Sequence, residues 1–130
     1  MSSRDEKQNI LNEINLYIEL KGDKARKLRE SVSYKLGQLG FYCSPRAEGF
    51  AFFINELAIL RGLPNIRLSV SGNALSTRVH MASGLTESNA SSMNLSVGEV
   101  YRRIMEAVNE VARIYAEFEK WADYMMIEKP

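Results

Sequence analysis

One histidine, His80, and one cysteine, Cys43, are the chain's whole supply of imidazole and thiol. No CxxC, HxxxH, Walker-type phosphate loop or GxGxxG occurs among the 130 residues. His80 has neither a ligand set nor a recognisable nucleophile to activate, so it reads as a surface histidine on a strand. Cys43 lies among aromatics and reads as a small buried hydrophobe. Glu106, Glu110 and Glu117 fall three or four residues from Arg102, Arg103 and Arg113, the spacing of a solvated ion-pair face on a helix. We expect no catalytic residue, no metal and no cofactor; the chemistry left is binding.

The arginines supply the candidate. A net charge of +1 hides a segregation: residues 21–82 hold ten basic and four acidic side chains, whereas residues 83–130 hold five and eight. A basic middle is the surface that attracts a polyanion. Within it, Ile66, Leu68 and Val70 alternate with Arg67, Ser69 and Ser71, Gly72-Asn73 offers turn chemistry, and Thr77, Val79 and Met81 alternate with Arg78 and His80. That is a half-buried hairpin whose polar face groups Arg67, Arg78 and His80 above low serines. Single-stranded nucleic acid is held by cations along its phosphates and by aromatic rings under its bases. Arg67, Arg78, His80 and Arg46 are the candidate phosphate contacts, and Tyr42 and Phe53 the candidate stacking platforms.

The elements that must position these residues follow from periodicity. Ser3 and Glu6 have capping-box spacing, and Ile10, Leu11, Ile14, Tyr17 and Ile18 recur at helical intervals, which predicts a first helix over about 4–20. Gly22 breaks it; Asp23 is placed to cap a second helix with the stripe Ala25, Leu28, Val32, Leu36 and Leu39, closed by Gly40. Residues 41–61 admit two readings. Ser44-Pro45 opens a capped helix, or 41–43 and 50–54 pair as a hairpin; the aromatic and β-branched run at 50–54 favours the hairpin. Residues 83–96 form a polar connection. Ser96 and Glu99 then open a last helix, in which Val97, Ile104, Val111, Phe118 and Met125 fall seven apart and Val100, Ala107, Ile114 and Trp121 lie three residues after them. A helix over about 97–127 would measure roughly 45 Å, longer than a small domain is wide. A second subunit is the expected cover, with Val97, Ile104, Val111, Ile114, Phe118, Trp121 and Met125 at the seam.

A helix ending Lys35-Leu36-Gly37-Gln38-Leu39-Gly40-Phe41, four short strands, a polar connection and a heptad-bearing terminal helix resembles, over residues 24–127, the archaeal ThermoDBP-type single-stranded-DNA-binding proteins. The resemblance implies a small sheet carrying the nucleic-acid cleft and terminal helices that dimerise like a zipper through 97–125. The expected fold is therefore α+β: two N-terminal helices, a small antiparallel sheet of two to four strands and a long C-terminal helix. It divides into a helical and sheet part over 1–96 and a dimerisation helix over 97–130 of the same single domain. The expected activity is non-catalytic binding of single-stranded DNA or RNA by a homodimer. Two rivals stand beside it, a protein–protein adaptor or chaperone with an apolar groove, and a small helical subunit of a nucleoprotein assembly. The longest apolar stretch, 50–60, is interrupted by Asn55 and Glu56 and falls short of the roughly 20 residues that span a bilayer. Residues 1–10 lack the apolar core of a signal peptide and a lone cysteine forms no internal disulfide, so no membrane contact and a cytoplasmic location are expected.

Overall fold

The structure, a computed structural model, describes residues 13–60, 64–80 and 86–128, without the side chains of Glu13, Leu60 and His80. The first strand, β1 (Glu13–Leu20), alternates strictly. Ile14, Leu16, Ile18 and Leu20 are fully buried, and Asn15, Tyr17 and Glu19 point to the opposite face. The helix α1 (Lys24–Gln38) follows and buries Ala25, Leu28, Val32 and Leu36. Asp23 does not cap it; its carboxylate lies 3.5 Å from Arg26 and 4.0 Å from Lys27. Gly40, at φ +90, makes the left-handed turn out of the helix. A meander comes next: β2 (Tyr42–Arg46), β3 (Gly49–Phe53), the single turn α2 (Leu57–Leu60), β4 (Asn65–Ser71) and β5 (Ala74–His80). After α3 (Glu87–Ser91) the long helix α4 (Val97–Glu117) runs to a 3-10 turn (Glu119–Trp121) and the last strand, β6 (Ala122–Glu128).

All six strands pair antiparallel in the order β2-β3-β4-β5-β1-β6. The α1 crossover carries the chain from β1 to the far edge, the meander returns it to β1, and β6 then adds on the other side. Helices α1 and α4 cover one face of the sheet and touch each other, with Lys35 and Glu110 3.7 Å apart across the contact. A shared core joins both helices to β1, β3, β4 and β5. Its one buried polar side chain among the described residues is Thr77, whose hydroxyl bonds the equally buried Tyr115 hydroxyl at 2.6 Å and so ties β5 to α4.

This architecture corrects the expected fold. The sheet has six strands rather than two to four, and the described part of the supposed first helix, 13–20, is a central strand. The hairpin favoured at 41–43 and 50–54 forms with longer strands, 42–46 and 49–53, and the alternating hairpin forms as 65–71 and 74–80. The terminal helix starts where Ser96 predicts, its hydroxyl accepting the Glu99 amide at 3.0 Å, but it ends at Glu117. Residues 97–128 are thus no appendage, because they give the core its longest helix and the sheet an edge strand. The heptad seam is spent within the chain: Ile104 and Val111 are fully buried, Ile114 is 6% exposed, and Val97, Phe118 and Met125 pack against the same core. Trp121 lies in the 3-10 turn with its ring 4.3 Å from the Lys24 ammonium and 4.5 Å from that of Lys120. The length argument for a zipper fails with the helix's true end.

Candidate nucleic-acid interface

Strand alternation sends Leu68, Thr77 and Val79 toward the helices and Arg67, Ser69, Ser76 and Arg78 toward the uncovered face. Register then places Arg67 directly opposite Arg78, and Ser69 opposite Ser76. Like charges opposed across strands repel, and here they share an exposed face. Each guanidinium is steadied by a neutral amide. The Arg67 Nε donates to Asn65 Oδ1 at 3.2 Å, and the Arg78 Nε to Asn15 Oδ1 at 3.0 Å. An asparagine orients an arginine without cancelling its charge, so on Arg67 the outward N–H groups keep their reach for an anion.

The same parity puts Arg46, Ser44 and Tyr42 of β2 on this face. Small neighbours keep the floor low around the arginines. Gly49 faces Ser69, and a Cβ there would lie 1.9 Å from the Leu68 carbonyl oxygen, so no other residue permits so close an approach of β3 to β4. A hollow of about 240 Å3 opens there, with Arg46 and Arg67 on its rim.

Of the candidate aromatics, Tyr42 is 41% exposed, whereas Phe53 is only 4% exposed. The Phe53 ring is enclosed with Ala51, Ala58 and Met93 and lies 5.7 Å from the Arg46 guanidinium, so it supports that arginine and offers no surface to a base. His80 ends β5 opposite Asn65 and Glu13, and its side chain lies outside the described residues. Cys43 is exposed on edge strand β2 rather than buried; the partial burial it has raises its thiol pKa above the ordinary range.

The open face also carries two aromatics the sequence reading missed, Tyr17 on β1 and Tyr124 on β6. Their rings lie 6.0 Å apart, tilted by 59°, and Tyr124 is 52% exposed. The Tyr17 hydroxyl donates to the Glu19 carboxylate at 2.6 Å, and this bond, with some desolvation, holds its pKa above the ordinary tyrosine range. The face is therefore polar in a second sense: arginines occupy the β2–β5 side, tyrosines and carboxylates the β1–β6 side. The signal for Tyr17 was the alternation of 14–20, which the helical reading overrode, and Tyr124 was hidden by extending the terminal helix to 127.

Among the described residues, no three histidine, cysteine or carboxylate side chains gather to hold a metal, and no helix is long and apolar enough to cross a membrane. Neither a protein-family model nor a curated protein matches the chain.

Proposed function

We propose that the protein binds single-stranded nucleic acid on the open face of its sheet, without catalysis. Arg67, Arg78 and Arg46 hold phosphates, and bases leave the backbone toward Tyr17 and Tyr124 on the neighbouring strands. The observation that carries this reading is the opposed pair Arg67 and Arg78 on the exposed face, where register sets two guanidinium groups directly across from each other and Asn65 and Asn15 orient them. Two such cations lose their mutual repulsion when a phosphate lies between them. Single strands suit the face better than duplex because an exposed tyrosine stacks only on a base whose π-face is free. A nucleic-acid ligand accords with a cytoplasmic location, and the reading needs no second subunit.

Fluorescence anisotropy with labelled single-stranded and duplex oligonucleotides at two salt concentrations tests it. Tight single-strand binding that weakens with salt, by a log–log slope of about 0.7 per phosphate contact, is the expected result. An Arg67→Ala, Arg78→Ala protein that stays folded and binds with the parent's affinity and slope would sink the assignment. Absence of all oligonucleotide binding, with an apolar peptide captured instead, would favour the adaptor class.

A further inference from the structure

On the helix-covered side of the sheet, beyond the reach of α1 over the β2–β3 turn, lies a second and larger hollow of about 810 Å3. Ligand sites run from about 300 to about 1,000 Å3, so this one has room for a nucleotide. Pro45, Phe50 and Val70 give it an apolar lining, and Arg29 from α1 and Arg46 from β2 give it two cations from separate elements. Glu48 is the one carboxylate on its wall. Neither arginine forms an ion pair with it or with any other described carboxylate. Phe50 is only partly buried, its ring 6.5 Å from that of Phe52, which leaves an aromatic surface within the hollow.

The two hollows share Arg46, Ala47, Glu48, Gly49, Phe50 and Ser69. They are therefore the two sides of one turn, with Arg67 beyond the first, Arg46 between them and Arg29 beyond the second. Three arginines in series, none neutralised by a described carboxylate, trace a route from the open face round the end of the sheet.

We propose that this hollow takes one nucleotide of the bound strand, with Arg29 on its phosphate and Phe50, Pro45 and Val70 against its base. The proposal rests on the reading of the open face as a single-strand site and adds where the strand goes when it leaves that face.

The test is an anisotropy titration of the full chain with oligothymidylates from about four to about sixteen nucleotides, the range of single-strand sites. Alanine is a good helix former, so Arg29→Ala leaves α1 intact. It should weaken the longest oligonucleotide about tenfold, the effect of one lost charge-assisted contact, and lower its salt slope by about 0.7. The shortest oligonucleotide should bind Arg29→Ala as it binds the parent, and Arg29→Lys should recover most of the loss at full length. Should Arg67→Ala weaken every length while Arg29→Ala changes none, the hollow is not on the path and the open-face reading stands. If the parent binds no oligonucleotide, both readings fall together. Arg29-dependent binding of thymidine monophosphate, without any Arg29 effect on long oligonucleotides, would also overturn the proposal, because the hollow would then be a separate nucleotide site.

Discussion

The outer face of α4 and the rim of the β2–β4 meander are both rich in arginine, yet they treat its charge in opposite ways. On α4, Arg102 reaches Glu99 at 2.9 Å and Glu106 at 3.4 Å, and Arg113 reaches Glu110 at 3.0 Å and Glu117 at 2.9 Å. Helical geometry makes this easy, since residues three and four apart share a face. On the meander, same-face neighbours lie two apart or across a strand, and the positions beside Arg46 and Arg67 hold glycine, serine, alanine, asparagine or, across from Arg67, another arginine. Arg46 and Arg67 consequently make no ion pair with a described carboxylate, and Arg29, which reaches the same turn from helix α1, makes none either. A paired exposed arginine contributes little to stability and has little left for a ligand. An arginine without a carboxylate keeps its field, and three of them around one turn mark the surface where an anion gains most.

The largest expected effect separates scaffold from rim. Leu68 lies between Arg67 and Ser69 in sequence but points into the core, 1% exposed. Leu68→Ala should cost about 2–5 kcal/mol in chemical denaturation, with oligonucleotide affinity per folded molecule close to the parent's. Equal loss of affinity in the folded fraction would mean that core and face are not independent, and the comparison would lose its basis.

Tyr115→Phe comes next. It removes the partner of a buried hydroxyl, Thr77, and should cost about 1–2 kcal/mol near neutral pH. Burial holds the Tyr115 pKa above its ordinary value of 10.0, against the opposing effect of the Thr77 hydrogen bond. The unfolded chain therefore ionises first, and the stability tied to the neutral phenol is complete below the ordinary range and declines as pH rises through and beyond it. The phenylalanine protein lacks that decline. Its deficit in urea melts should narrow in alkali, and a deficit that instead widens would contradict the buried pair.

What the sequence made legible was what the chain decides locally. Both hairpins of the meander are contiguous, so alternation alone brought Arg67 and Arg78 to one face. The stripe Ala25, Leu28, Val32 and Leu36 likewise marked α1. Residues 14–20 fit two periods at once: Ile14, Tyr17 and Ile18 satisfy a helix, and Ile14, Leu16, Ile18 and Leu20 satisfy a strand. The choice fell to partners distant in sequence, β5 and β6, on either side of β1. At the other end the heptad continued through Trp121 and Met125 although the backbone had left the helix at Phe118, because Met125 falls on the core-facing side of β6 and so stays apolar for a different structural reason. The site inherited both errors. Tyr17 and Tyr124 reach the open face only if β1 and β6 join the sheet, and Phe53, correctly assigned to that face by parity, is lost to it because Ala58 and Met93 close over the ring.

Replacing both opposed arginines tests the rim itself. Arg67→Ala, Arg78→Ala should leave stability unchanged or raise it by a few tenths of a kcal/mol, since a directly opposed like pair is relieved. Single-strand affinity should fall with it, and the salt slope by about 1.4 for two phosphate contacts. Stability and affinity moving in opposite directions is the signature of charges held for a ligand. A double substitution that lowers both would make the pair structural.

The smallest effect should come from Arg113→Ala on the paired face. Its hydrogen bond is the largest influence and, with the smaller pulls of its charge and of Lys35, holds the Glu110 carboxyl below the ordinary value of 4.5 against the opposing effect of burial. A depressed carboxyl contributes stability that is present above the ordinary range and disappears as pH falls through the folded-state value. Removing Arg113 should therefore move the Glu110 titration upward by NMR while changing the neutral-pH melting temperature within experimental scatter. Oligonucleotide affinity should not change, because Arg113 lies across the molecule's covered side from Arg67 and its charge is already met by Glu110 and Glu117. Loss of affinity matching that of Arg67→Ala would show that binding follows total charge alone, and that the difference between met and unmet arginines has no functional content.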